Sequence, residues 1–96
     1  MLETVQELAD GVAARLRLVR LDADLTQAGL AARSGVTLAS LRRFETTGQI
    51  ALESLIRLAQ SLGRDADIAT LFAPPPVASL DELVTSSNPR RRGRRS

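Results

Sequence analysis

Apolar residues recur at intervals of three and four along the first quarter of the chain. Leu2, Val5, Leu8, Val12, Leu16 and Val19 trace one stripe, and Leu18, Leu21 and Leu25 widen it near its end. That interval fits the 3.6-residue turn of an α-helix and not the two-residue repeat of a strand. The pattern predicts a first helix from about Glu3 to Leu21 with the stripe turned inward. Gly11 interrupts it at a cost of about 1 kcal/mol relative to alanine, so the prediction is firmer after that residue.

A shorter rhythm follows. Thr26 is placed to cap a second helix, Gln27 to Arg33, which turns Leu30 and Ala31 inward, and Ser34-Gly35 closes it. Thr37 caps a third helix from Leu38 to about Glu45, with Leu41 and Phe44 on its buried side and Thr46-Thr47-Gly48 ending it. A fourth helix is expected from Leu52 to Leu62, with Leu52, Leu55, Ile56, Ala59 and Leu62 on one face. Residues 67–72 suggest a short fifth helix, halted by Pro74-Pro75-Pro76, which cannot continue one and favour an extended spacer. Ser79-Leu80-Asp81-Glu82 has capping-box spacing and could start a helical turn through Val84. The run Arg90-Arg91-Arg92-Gly93-Arg94-Arg95 repels itself and has nothing to bury, so a disordered tail is expected. The plan is one folded domain over 1–73, a Pro-rich spacer over 74–87 and a basic tail over 88–96.

Composition agrees with an all-α fold. Of the 96 residues 44% are hydrophobic, yet Phe44 and Phe72 are the only aromatics, and an aliphatic core suits helices better than sheets. The chain has no cysteine or histidine, which removes disulfides, zinc sites, thiol nucleophiles and imidazole acid-base chemistry. No cofactor is expected. Asp22/Asp24 and Asp65/Asp67 are carboxylates at i and i+2, which diverge on a helix, and no nucleophile-base pair accompanies them, so an enzyme is not expected. No apolar run reaches the roughly 18 residues that a bilayer requires. The acidic, amphipathic N-terminus does not resemble a signal peptide. A cytoplasmic protein is the expectation.

Charge sharpens this picture. All 13 basic residues are arginine. Residues 1–14 carry −3, residues 15–43 carry +4, residues 44–87 carry −4 and residues 88–96 carry +5. Positive charge is thus concentrated in one internal segment and one tail, the arrangement a polyanion would attract. Within the internal segment, two short helices flank the turn Ser34-Gly35-Val36, each headed by a threonine cap. This is the layout of a helix-turn-helix, whose second helix lies in the major groove of duplex DNA. Thr37, Leu38, Ala39, Arg42 and Arg43 are then the positions left for DNA. Arg42 or Arg43 could donate two hydrogen bonds to a guanine edge, and Leu38 and Ala39 could touch a thymine methyl. Both arginines could instead hold only phosphates, which would make binding salt-sensitive and weakly selective. Without Tyr or Trp, stacking on single strands is poorly served.

Arg15 to Gly63 resembles the Cro/C1-type (XRE) helix-turn-helix family. The resemblance is carried by Leu25-Thr26-Gln27, Leu30-Ala31, Ser34-Gly35-Val36, Leu41, Phe44-Glu45 and the Leu55–Leu62 helix. It implies a compact, four- to five-helix, lambda-repressor-like domain that regulates transcription, usually as a homodimer on an inverted-repeat operator. It also implies a phosphate contact from Gln27, a backbone contact from Thr37, and a structural pair between Arg20 and Glu45. Glu45-Thr46-Thr47-Gly48 is one residue longer than the family's usual Glu-x-Gly, and Gly29 stands where a glutamate commonly completes the cap of Thr26.

Phe44 to Ala59, with Leu71-Phe72-Ala73-Pro74-Pro75, Ser79 to Leu83 and the arginine-rich end, is also similar to HipB-like antitoxins. These repress their own operon and bind a HipA-like kinase toxin. A free-standing or phage-type repressor remains the alternative, as does an interaction module without DNA binding. For Arg90, Arg91, Arg92, Arg94 and Arg95, three roles stay open: DNA contact, partner contact or plain solubility. The acidic first helix and the Phe72–Val84 segment are the candidate dimer contacts, and either could equally be core.

Overall fold

A computed structural model describes residues 2–76 of the chain, and among these residues it contains five helices and no strand. The elements are α1 (Val5–Asp22), α2 (Gln27–Ser34), α3 (Leu38–Thr47), α4 (Leu52–Ser61) and α5 (Asp65–Ala69). The helical turn expected through Val84 and the arginine tail lie outside the described residues. Pro74, Pro75 and Pro76 follow α5 without regular structure.

Local chemistry sets the ends of these helices. α1 begins two residues later than the apolar pattern suggests, because Thr4 and Glu7 form a capping box. The Thr4 hydroxyl accepts from the Glu7 amide at 3.0 Å, and the Glu7 carboxylate accepts from the Thr4 amide at 2.8 Å. Thr26 and Thr37 cap α2 and α3 by accepting from the amides of Gly29 (2.9 Å) and Ser40 (3.1 Å). α5 lies two residues upstream of its expected start and is shorter. The helix cannot run through Phe72, whose φ of +63° is a left-handed conformation that a bulky residue rarely adopts. Phe72 is 96% exposed, so one of the two aromatics is no part of the core.

The core holds Ala13, Leu30, Ala31, Val36, Leu41, Phe44 and Leu58. α1 does not bury the stripe that its apolar spacing predicts. Val5 is 86% exposed, Leu8 and Val12 are also exposed, and the buried α1 residues are Ala13 and Arg20. Contact with α3 explains this. A Cβ placed on Gly48 would stand 2.8 Å from the Ala9 Cβ and 2.9 Å from the Ala9 carbonyl carbon, so the two backbones nearly touch. So close an approach admits only a small residue, and α1 presents Ala9 there, one turn before the buried Ala13. Of its large aliphatics Leu16 packs partly against the core, and Val12 and Val19 are turned to the adjoining face. α4 shows a smaller shift of the same kind: Leu58 and Ala59 are its buried residues, while Leu52 is exposed. The inward face is therefore Leu55, Leu58, Ala59 and Leu62, at the spacing of one helical stripe.

Candidate DNA-binding surface

The α2–turn–α3 unit is held from within. Gly35 takes a φ of +76° and its amide donates to the Ala31 carbonyl at 3.1 Å. The Ser34 hydroxyl donates to the Ala31 carbonyl and accepts from the Val36 amide at 3.1 Å. Val36 enters the core from the turn itself. α2 and α3 are thereby fixed at one mutual angle by backbone bonds and a buried side chain, with little left to loop flexibility.

α3 has two faces of opposite character. Leu41 and Phe44 are fully buried, and Leu38 is half-buried against them. Ala39, Arg42, Arg43 and Thr46 are exposed and share the other side at spacings of three and four. Thr37 and Ser40 are exposed at the head of the helix, where the Thr37 hydroxyl donates to the Ser40 hydroxyl at 2.9 Å. Of the positions expected to face DNA, Leu38 departs most. It precedes Leu41 by one turn and is drawn to the same side, so its main contact is the core.

Arg43 is not a free side chain. Its Nη2 donates to Gln49 Oε1 at 2.7 Å, and Gln49 stands in the loop after α3. That loop is itself tied down. The Thr47 hydroxyl donates to the Arg43 carbonyl at 2.7 Å and accepts from the Gln49 amide at 3.2 Å. The Thr47 carbonyl accepts from Gln6 Nε2 of α1 at 2.7 Å. The segment Glu45-Thr46-Thr47 thus continues α3 through Thr47, and Gly48 then caps it with a φ of +77°. Ser40 and Gln49 were not singled out by sequence pattern, although polar residues flanking an arginine-bearing helix were a usable signal. With Arg43 they border a shallow notch of about 200 Å³ beside α3.

Behind this surface, Arg20 and Glu45 meet as a bidentate pair. Arg20 Nε donates to Glu45 Oε2 at 2.8 Å and Nη2 donates to Oε1 at 2.9 Å, with both side chains more than nine-tenths buried. Arg20 Nη1 donates to the Leu25 carbonyl at 2.9 Å, and Gln27 Nε2 donates to Glu45 Oε1 at 2.9 Å. One carboxylate therefore joins the end of α1, the first residue of α2 and the last turns of α3. Burial pushes the Glu45 carboxyl up. The hydrogen bonds from Arg20 and Gln27, with the charges of Arg20 and Arg17, outweigh that effect and hold it below its ordinary value of 4.5. Gln27 keeps one amide hydrogen and its carbonyl outside this network. Arg90, Arg91, Arg92, Arg94 and Arg95 lie outside the described residues.

Two short capped helices locked across a tight turn, the second with one buried and one arginine-bearing face, define a helix-turn-helix protein. The chain belongs to the XRE-type helix-turn-helix family, whose sequence profile matches residues 16–68. This is a family of DNA-binding transcription regulators, typically without enzymatic activity. A comparison with curated proteins gives no match. Among the described residues no helix is long and apolar enough to cross a membrane, and no acidic cluster suits a metal ion.

Proposed function

We propose that α3 is the recognition helix, reading the major groove of a double-stranded operator with Ala39, Arg42 and Arg43, and that the protein represses transcription from that site. The observation that carries this reading is the division of α3. The residues that hold the fold and those free to meet DNA occupy opposite sides of ten residues. Arg42 suits a guanine edge, where a bidentate contact discriminates by about 1–3 kcal/mol. Arg43, oriented by Gln49, suits a base or the adjoining phosphate. Gln27 and Thr37 stand at the heads of α2 and α3, where side chains and backbone amides meet phosphates. Leu38 contributes at most its exposed edge to a thymine methyl.

An inverted-repeat operator bound by a homodimer completes the proposal. Exposed Leu2, ahead of α1, and Val5 and Leu8 on it offer apolar surface for a second copy. From the likeness to HipB-like antitoxins we further infer autoregulation together with a HipA-like kinase toxin, in the cytoplasm. Two experiments test these readings. In a fluorescence-anisotropy titration on the DNA upstream of its own gene, Arg42→Ala should weaken specific binding at least tenfold and leave helical content unchanged. Equal affinity of wild type and variant for specific and random duplexes would remove the recognition role. Co-purification with a kinase encoded next to it supports the antitoxin reading, and DNA binding with no such complex returns the protein to a free-standing repressor.

A further inference from the structure

Part of the aliphatic surface of α1 does not face open water alone. Val12, Leu16 and Val19 form one wall of a groove of about 330 Å³, and Leu62, Ile68 and Leu71 form the other. The groove is predominantly apolar, yet nothing in residues 2–76 fills it. Arg15 and Arg64 stand at its edge. Arg64 is bridged to Asp67 at 2.8 Å, whereas Arg15 has no salt bridge among the described residues.

We propose that this groove is the docking site of the chain's own segment Val77–Val84, folded back across α1, α4 and α5. Three observations select that occupant. The described chain leaves from the groove wall itself, since Leu71 is only six residues before Val77. A run such as Pro74-Pro75-Pro76 favours an extended backbone of about 3.1 Å per residue, which gives the chain room to pass α5 before it turns back. The seven steps from Val12 to Val19 span only about 10 Å of helix, well within reach.

The segment also has the right pattern. Ser79-Leu80-Asp81-Glu82 can start a helical turn, which places Leu80, Leu83 and Val84 on one side at spacings of three and four. Asp81 then flanks that side, and it brings negative charge to a rim where Arg15 has no salt bridge among the described residues. The inference is independent of the DNA-binding reading.

The isoleucine methyls make the test simple, because the chain contains only Ile50, Ile56 and Ile68. Ile68 lines the groove and Ile50 lines the separate notch beside α3. In methyl-labelled full-length protein, the Ile68 δ1 methyl should show cross-relaxation to Leu80 or Leu83 methyls. The double substitution Leu80→Asp/Leu83→Asp should move the Ile68 signal and leave that of Ile50 in place. Since the chain has no cysteine, Val12→Cys with Leu83→Cys should oxidise within one chain, at a yield that does not change with dilution. Cross-linking only between chains would overturn the proposal in favour of a second copy. An unmoved Ile68 signal without cross-linking would overturn it outright.

Discussion

Glu45 is the residue on which three helices depend. Its replacement by alanine leaves the Arg20 guanidinium buried without its carboxylate, a loss of about 3–5 kcal/mol. Glu45→Ala should therefore lower the urea midpoint and weaken DNA binding together, and an unchanged urea melt would show the pair to be dispensable. The pH dependence has a definite sign. A carboxyl held below its ordinary value of 4.5 in the folded state adds stability that is complete above that value. It is lost as pH falls through the lowered one. Stability should decline on the acid side, and Glu45→Gln should flatten that part of a pH–melting profile. Gly48 is constrained twice, by its left-handed backbone and by Ala9 against it. Gly63 has a similar φ of +70° and nothing within 4 Å of where a Cβ would sit. Gly63→Ala should cost about 1–2 kcal/mol for the backbone alone. Gly48→Ala should cost about 1–3 kcal/mol more, the difference being the displaced α1. Equal losses in chemical denaturation would mean that α1 yields freely.

Among the elements, α2, α3 and α4 were legible because each couples a strong stop signal to an aliphatic stripe. Thr26, Thr37 and Gly35 mark boundaries by local hydrogen bonding, which does not depend on the rest of the fold. α1 was legible as a helix but not in its orientation. Hydropathy weighs Leu and Val above Ala, whereas backbone proximity at Gly48 selects Ala9. Nothing local to α1 announces that Gly48, some forty residues on, will press against it. The same blindness hid the inward packing of Leu38, which arises only once α3 is formed against the core. Thr4 with Glu7 was a visible capping box that the long apolar stripe obscured. Gln49 could be seen as polar, but its bond to Arg43 depends on how the loop after α3 closes. That bond yields its own expectation: Gln49→Ala should free Arg43 and reduce operator affinity severalfold without changing the melting temperature. A drop in melting temperature would instead make Gln49 part of the loop's support.

At the scale of the whole molecule, the alternation of charge along the chain separates tasks. Arg33, Arg42 and Arg43 stand exposed on α2 and α3, while Glu3, just ahead of α1, and Glu7 and Asp10 in its first turns are exposed at the other end of the charge pattern. A polyanion approaching this protein is attracted to one part and repelled from another, which orients the encounter before any contact forms. If the arginine tail joins in, removing residues 89–96 should reduce the salt dependence of binding by about 0.9 in log-log slope for each phosphate it neutralises. An unchanged slope assigns the tail to another role. The two-sided construction of α3 has a further consequence. Positions 39, 42, 43 and 46 take no part in the core, so they can change without asking anything of Leu41 or Phe44. A duplicated gene could therefore drift to a new operator in a few substitutions while its product keeps the same architecture throughout. Neighbouring paralogues would then diverge first in what they recognise and only much later in how they fold.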